Sequence, residues 1–393
     1  MEIKEYSEQF SREGCQGKHL ALKSESFKLI EEGKARVMVP VIKDESFPPR
    51  RSPVFYNPAM KFDRDLSVCL LNSLLNGGEV LDPLCGTGIR GIRYVLETPL
   101  EKGILNDVSP MAFRVSRRNV ELNSLSEKLS VRRRDANALM HCIVESGRRI
   151  DAVDVDPYGS PVKYISSATR VLRRRGILMI TCTDTSSLMG TYPRVSLRRY
   201  SCWIPRTEFR EELACRALVQ FVIREGAKQD VFLKPIFSYV GKHYLRAFFC
   251  LESGARKVDK ALKMVDFLDY DPKSGRTSLG EGRIGPIWLG PLFSKEHLKI
   301  ALDWIESKGE YLGIKVKGFI KAALLEENDP PFYYDLHLLH SRFKGRCPAM
   351  GELIEKLREN GFRASRTLFS PTGIRTDCEI DELKRIWRAI SHR

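Results

Sequence analysis

One stretch limits what this 393-residue chain can fold into: Val80-Leu81-Asp82-Pro83-Leu84-Cys85-Gly86-Thr87-Gly88-Ile89-Arg90-Gly91. Val80 and Leu81 read as the end of a short buried strand that Asp82 closes, and a turn carrying Gly86, Gly88 and Gly91 follows. A helical pattern then begins, with Ile89, Ile92, Val95 and Leu96 on one side and Arg90 and Arg93 on the other. Strand, glycine-rich turn and helix in this order direct backbone N–H groups and a helix N-terminus at a ligand. The Gly86-x-Gly88-x-x-Gly91 spacing also satisfies the dinucleotide fingerprint, but Asp82 separates the two possibilities. A carboxylate beside the turn repels a pyrophosphate and attracts an ammonium or sulfonium group. The stretch therefore favours S-adenosylmethionine over NAD.

The surrounding pattern supplies the rest of a nucleotide-binding sheet. Pro48, Pro49, Pro53 and Pro58 mark an extended connection, after which a helix is expected from Asp63 as N-cap to Asn76-Gly77-Gly78. Strands are predicted at 79–82, 103–107, 129–134, 150–155 and 176–182, with helices between them such as Pro110 to Leu122 and Val162 to Arg173. This alternation predicts a doubly wound parallel α/β sheet, which binds ligands at the carboxyl ends of its strands. Asp82, Asp107, Asp135 and Asp156 fall at four successive strand ends. Val231 to Tyr239 and His243 to Leu251, joined through Gly241, read as a hairpin closing one sheet edge. Charge, glycine and serine dominate 253–285, so the predicted division is 1–252, an N-terminal extension with the catalytic domain, and 253–393, a smaller α/β domain with helices near 294–307 and 348–360.

Charge points to the partner. Lys and Arg number 65 against 50 Asp and Glu, a net charge of +15. The surplus is clustered in Arg132-Arg133-Arg134, in Arg173-Arg174-Arg175, and in Arg194, Arg198, Arg199, Arg206 and Arg210, the distribution expected of a nucleic-acid-binding protein. No apolar run approaches the roughly 18 residues of a membrane span. The N-terminal Met1-Glu2-Ile3-Lys4-Glu5 does not read as a signal peptide, so a cytoplasmic location is expected. The 10 cysteines include no CxxC pair and are expected as free thiols, mostly buried, with no metal site.

Chemistry concentrates in Asp154-Val155-Asp156-Pro157-Tyr158-Gly159-Ser160-Pro161. The exocyclic amine of a nucleobase is a poor nucleophile because its lone pair is delocalised into the ring. The Asp156 carboxylate and the rigidly held Pro157 carbonyl suit the two N–H bonds of such an amine, aiming the lone pair at a methyl sulfonium by positioning. Tyr158 suits stacking on a flipped base. Asp107 is placed to accept ribose hydroxyls, or else to cap the helix after Pro110; Asp135 with Ala136 is placed near an adenine edge, or is a loop residue. Thr183-Asp184-Thr185 after the fifth strand is a candidate wall of the base pocket. His337 and His340 lack companion ligands at metal spacing and read as ordinary core or surface residues, and Trp288, Tyr333 and Tyr334 read as core.

The chain resembles the tRNA guanosine-26 N2-dimethyltransferases of archaea and eukaryotes. The resemblance rests on Glu32-Gly33-Lys34-Ala35-Arg36, on Phe55-Tyr56-Asn57-Pro58 through Arg64-Asp65, and on Gly86 to Arg93 and Asp156 to Pro161. It continues through Thr183-Asp184-Thr185, Gly285-Pro286-Ile287-Trp288-Leu289-Gly290-Pro291-Leu292, Tyr333-Tyr334-Asp335-Leu336-His337 and Ala364-Ser365-Arg366-Thr367. It implies a class I S-adenosylmethionine-dependent methyltransferase sheet of Rossmann-like type, with a C-terminal domain that engages tRNA. It also implies cofactor contacts at Arg36, Arg64, Asp82, Asp107, Asp135 and Ala136, beside the glycines Gly86 and Gly88, and catalysis at Asp156. The implied reaction adds two methyl groups to N2 of one tRNA guanosine. Many relatives carry a cysteine cluster ahead of the Gly-Pro-Ile-Trp stretch; here residues 251–290 contain none. Two rivals are a methyltransferase for another nucleobase amine, and an RNA-binding protein with an inactive cofactor fold.

Overall fold

The computed structural model describes residues 27–41, 52–280, 282–326 and 330–391, so Cys15, Pro48 and Pro49 lie outside the described residues. Helix–strand alternation builds a seven-stranded sheet. After a hairpin of β1 (Phe27–Glu32) and β2 (Ala35–Pro40) and helix α1 (Lys61–Leu74), the sheet takes β3 (Glu79–Asp82), β4 (Lys102–Asn106), β5 (Leu129–Arg132), β6 (Ile150–Val155), β7 (Leu172–Cys182), β8 (Val231–Val240) and β9 (Leu245–Ser253). Its spatial order is β5-β4-β3-β6-β7-β9-β8. The strands β3 to β7 are mutually parallel, while β9 runs antiparallel to both β7 and β8. The order reverses at β3, where β4 lies on one side and β6 on the other, and a ligand crevice forms at such a switch point. This is the sheet of a class I, Rossmann-like methyltransferase.

The connecting helices are α2 (Ile89–Glu97), α3 (Pro110–Leu122), α4 (Ala136–Glu145), α5 (Ile165–Val171), the short α6 (Thr185–Leu188), α7 (Pro193–Tyr200) and α8 (Arg210–Ala227). Strands 79–82 and 150–155 and helix Pro110 to Leu122 fall as predicted. Helix α5 ends two residues before Arg173, because β7 already begins at Leu172 and takes in Arg173, Arg174 and Arg175, the last of them with a left-handed φ of 63°. Asp63 is not the cap of α1: Met60 holds that position, and Asp63 sits fully buried in the first turn, where three distant side chains claim it. Arg90 and Arg93 are not on a solvated helix face either; both are buried, at 4% and 0% exposure.

Beyond the hairpin come α9 (Ala255–Leu262) and a small antiparallel sheet of β10 (Val265–Tyr270), β11 (Thr277–Leu279) and β12 (Ile284–Trp288). The polar composition of 253–285 thus conceals three short strands, reversed at Asp271, whose carbonyl accepts the Gly275 N–H at 2.8 Å. Helices α10 (Lys295–Ser307) and α11 (Ile314–Leu325) turn back onto α1, with the Cys69 thiol 3.6 Å from the Ala301 carbonyl and the Phe62 and Phe319 rings edge-to-face at 5.2 Å. One apolar cluster therefore runs from Ala35 to Phe369. A second gathers Leu339, Leu353, Leu357, Ile374, Leu383 and Trp387. It is framed by β13 (Tyr334–Asp335), α12 (Leu336–Phe343), α13 (Met350–Glu359), β14 (Ala364–Arg366), β15 (Gly373–Thr376) and α14 (Ile380–Ser391). Trp288 and Tyr333 are buried core residues, at 2% and 3% exposure. His337 and His340 are exposed, the latter ring bonded to the Gly345 carbonyl at 3.0 Å. Cys142 and Cys347 are exposed, Cys250 is half-buried, and the other described cysteines are buried free thiols.

Candidate active site

A cavity of about 700 Å³ opens at the carboxyl ends of β3, β4, β6 and β7. Asp82, Asp107, Asp156 and Thr183 enter it from those strand ends, Phe55 and Asn57 from the segment before α1, and His243 and Tyr244 from the tip of the β8–β9 hairpin. Gly86 makes the turn: its φ is +54°, and a Cβ there would stand 3.1 Å from the Phe55 carbonyl oxygen. Gly91 serves packing instead. A Cβ would fall 2.1 Å from Leu105 Cδ2, so the bare backbone lets α2 lie close on β4. Asp107 is shared between turn and ligand space. Its Oδ2 accepts the Gly86 N–H at 3.0 Å and its Oδ1 the Ser109 N–H at 2.9 Å, while the cap of α3 is Ser109.

The electrostatics are set by two arginines below the cavity. Arg90 Nε donates to Asp156 Oδ2 at 2.7 Å, and its Nη2 is paired with Asp63 at 2.6 Å. Arg246 donates to both oxygens of Asp154, at 2.7 and 2.9 Å, and lies 3.3 Å from Asp63. Tyr94 and Tyr239 add hydroxyl bonds to Asp154 at 2.5 Å and to Asp63 at 2.6 Å. Burial alone would raise the Asp63 carboxyl, but Arg246 and Arg90 outweigh it and hold that group below its ordinary range. Asp63, Asp154 and Asp156 against Arg90 and Arg246 leave an excess of negative charge.

Asp82 adds to that excess. It is 1% exposed, and among the described residues no side chain hydrogen-bonds either carboxylate oxygen, the Leu84 backbone N–H being the polar group that faces it. Burial, then the Asp154 and Asp156 carboxylates, push it well above the ordinary carboxylate range, with Arg90 opposing. A buried acid without a partner is costly unless a ligand supplies one. The cavity floor is thus built for a cation.

A sequence profile described as N2,N2-dimethylguanosine tRNA methyltransferase matches residues 33–388. The chain belongs to this family. It is 39% identical over 384 residues to the tRNA (guanine(26)-N(2))-dimethyltransferase of Pyrococcus horikoshii, covering 91% of this chain and 98% of that protein. The enzyme of the same name from Methanopyrus kandleri is 36% identical over 376 residues, covering 91% and 96%. Among solved structures, Trm1 from Pyrococcus horikoshii in complex with S-adenosyl-L-methionine matches with a TM-score of 0.82 at 36% identity, over 91% of this chain and 99% of that one. The match extends through the segment after residue 253, which a generic methyltransferase sheet would not require.

Of the residues singled out for this family's cofactor and chemistry, the cavity gathers Arg64, Asp82, Gly86, Asp107, Asp156, Pro157 and Tyr158. Arg64 is committed to Glu32 through two bonds of 2.6 Å and lies over the Tyr56 ring. Arg36, Gly88, Asp135 and Ala136 do not line it. Gly88 stands behind the turn as the cap of α2, with φ +80°. Asp135 caps α4 by accepting the Ala138 N–H at 3.0 Å, and Ala136 is the first residue of that helix. Arg36 lies on β2, its side chain 3.9 Å from Glu31.

The turn from Asp156 to Gly159 is braced from the end of β7. Gly159 N–H donates to Thr183 Oγ1 at 2.6 Å, and Thr183 N–H returns a bond to the Gly159 carbonyl at 2.9 Å. Asp184 is held by Arg199 at 2.6 Å and by Ser187 at 2.7 Å. Tyr158, 72% exposed, and Phe55, 41% exposed, place two aromatic rings on the cavity wall. The sequence reading did not single out Phe55 or Arg90 as functional. Phe55 carried a signal, as an aromatic in a proline-bounded loop matching the family; Arg90 carried none, because its partners are scattered between residues 63 and 156. The arginine clusters divide between two ends of the sheet. Arg132 to Arg134 and the exposed residues around α7 lie at the cavity end, and Arg173 to Arg175 lie at the other.

Proposed function

We propose that this chain methylates N2 of guanosine 26 in tRNA, twice in succession, with S-adenosylmethionine as donor. The observation that carries the reading is that an unpartnered buried acid, Asp82, and an arginine-fixed acid, Asp156, share one cavity. When bound, the donor supplies a methyl on a sulfonium. Asp82 and the Gly86 turn receive its cationic amino-acid end, in keeping with the orphaned Asp82 oxygens. Asp107 retains lone pairs for ribose hydroxyls, and Asp135 with Ala136 at the next strand end flanks the adenine. Arg64 shapes the methionine side through Tyr56 and Glu32, and Arg36, on β2 outside the cavity lining, is the family's further cofactor contact.

Toward the nucleobase, Arg90 engages Oδ2 of Asp156, and Oδ1 makes no hydrogen bond among the described residues. Oδ1 and the Pro157 carbonyl accept the two N–H bonds of the guanine amine, while Tyr158 and Phe55 stack on the extruded base. After the first transfer the nitrogen gives up a proton to Asp156, which releases it to solvent before a second donor molecule is used. One N–H remains, and rotation about the C2–N2 bond presents it for the second transfer. The segment 253–393 is the tRNA-engaging part, and the exposed arginines near the cavity contact phosphates. We place the enzyme in the cytoplasm, working without an obligate protein partner; no helix among the described residues is long and apolar enough to cross a membrane.

The test is incubation with methyl-labelled donor and tRNA transcripts carrying guanosine or adenosine at position 26, followed by nucleoside analysis. Label in N2-methylated guanosine only with the first transcript is expected, and Asp156→Ala should abolish it while cofactor binding persists. Label at another base would overturn the site assignment, and no label with either transcript would overturn the reaction.

A further inference from the structure

We infer that a second cavity, at the opposite end of the central sheet, binds phosphate groups of the tRNA backbone. This cavity, of about 470 Å³, is walled by β7, β8, β9, α9 and α10. Arg174, Arg175, Lys234 and Lys257 line it against Glu252 and Glu296, four cations to two acids. Glu252 is shared by both lysines, at 2.5 Å from Lys257 and 3.7 Å from Lys234. Arg174 and Arg175 have no hydrogen bond or ion pair among the described residues, and both are exposed. Their charge faces a concavity with an apolar floor of Leu74, Ile177 and Leu251, which differs from a solvated convex surface.

His297 reports the local field. It is lowered by burial and then by Lys234, while its Nδ1 is engaged by the Ser294 hydroxyl at 2.6 Å. Glu296 and Glu252 oppose that lowering, and the imidazole adds a hydrogen-bonding group to the cationic wall. Guanidinium pairs beside lysines match phosphate oxygens in geometry and charge.

The position excludes the cofactor and the target base as occupants. Arg175 lies near the start of β7, and Thr183 follows its far end. Eight residues of extended chain separate them, roughly 25 Å. One nucleotide cannot span that distance, whereas a folded RNA arm can. A tRNA whose guanosine enters the first cavity therefore has a backbone long enough to reach the second.

This inference rests on tRNA being the substrate, and the experiment separates the two. The double variant Arg174→Ala, Arg175→Asn removes both free guanidiniums, and Asn tolerates the left-handed backbone of Arg175, whose φ is 63°. Dissociation constants for tRNA are measured across salt concentrations, with cofactor affinity and labelled methyl transfer measured in parallel. Loss of two phosphate contacts should weaken tRNA binding roughly tenfold near 100 mM salt and make the log–log salt slope shallower by about 1.5. KM for tRNA should rise while kcat and cofactor affinity stay at wild-type values. An unchanged tRNA affinity and slope would overturn the inference. That holds even if calorimetry shows inorganic pyrophosphate binding to the wild type and not to the variant, since the site would then serve small phosphates. If the wild-type protein neither binds nor methylates tRNA, the functional reading itself fails.

Discussion

Two buried ionic networks in this molecule use the same chemistry to different ends. One, under the cavity, joins Asp63, Arg90, Asp154, Asp156 and Arg246. The other joins Glu212, Arg216, Glu326 and Arg375 where the two apolar clusters meet. The second is balanced in charge, and within it only the Arg375 Nε lacks a hydrogen bond among the described residues. Two acids face two arginines, Arg216 also donates to the Trp288 and Gly290 carbonyls, Arg375 to those of Pro330 and Phe332, and Glu326 accepts from Thr367 and the Leu368 N–H. The first carries one acid too many, leaves an oxygen of Asp156 toward open space, and has the orphaned Asp82 beside it. A balanced network fixes a fold, while an unbalanced one at a cavity is completed by a ligand.

The largest effects come from cutting each network at its arginine. Arg375→Met and Arg90→Met should each cost about 3–5 kcal/mol of stability, because each strands buried carboxylates. Denaturant melts measure that loss. The comparison predicts that they part in activity. The folded fraction of Arg375→Met should methylate at near wild-type kcat, whereas Arg90→Met should lose about 100-fold, since Asp156 is no longer oriented. Equal kcat losses in the two variants would dissolve the distinction.

This contrast also marks what could be read from sequence. The strand–turn–helix at Val80 to Gly91 is local, so hydrophobic period and glycine spacing disclose it, and the acids at successive strand ends follow from the same alternation. Seven of the eleven residues singled out for site roles line one cavity as a result. Arg90 and Arg93 escaped because a helical period assigns charged positions to solvent. Arg93 has one local partner, Glu97 on the same helix, but its others, Glu32 and Asp65, and Asp63 and Asp154 for Arg90, come from other elements, and pairing across a fold leaves no local pattern. Asp63 was misread for the same reason, since an acid near a helix start is usually a cap. Helices α11, α12 and α14 and the strands β10 to β15 went unpredicted, their short apolar stretches being defined only by the surfaces they cover.

A smaller effect separates Asp82 from its paired neighbours. Asp82→Asn keeps the shape and removes a buried acid that no side-chain hydrogen bond in the described residues satisfies. Cofactor affinity should fall about 10- to 100-fold, the worth of a hydrogen bond to a charged group. The cofactor-free protein should melt at the wild-type temperature or above it. A cofactor-free variant clearly less stable than wild type would mean that Asp82 is a structural acid like Glu212.

The smallest effect is the sign of the pH dependence, which should be opposite for the two networks. Glu212 is raised by burial, but Arg375 and Arg216 outweigh this and hold it below its ordinary value. Its stabilising contribution is therefore present above the unfolded glutamate value near 4.3 and is lost as pH falls through the lower folded value. Asp82 is raised, so its contribution is complete below the unfolded aspartate value near 3.9 and is lost as pH climbs through the higher folded value. Without cofactor, the stability advantage of Asp82→Asn over wild type should accordingly grow with rising pH and vanish in acid. Binding a cationic ligand requires the ionised acid, so wild-type cofactor binding should release protons and tighten as pH rises toward the shifted value. Calorimetry in two buffers of different ionisation enthalpy measures that release directly. A binding constant flat with pH and no proton release would place the cation away from Asp82 and leave the open network without its ligand.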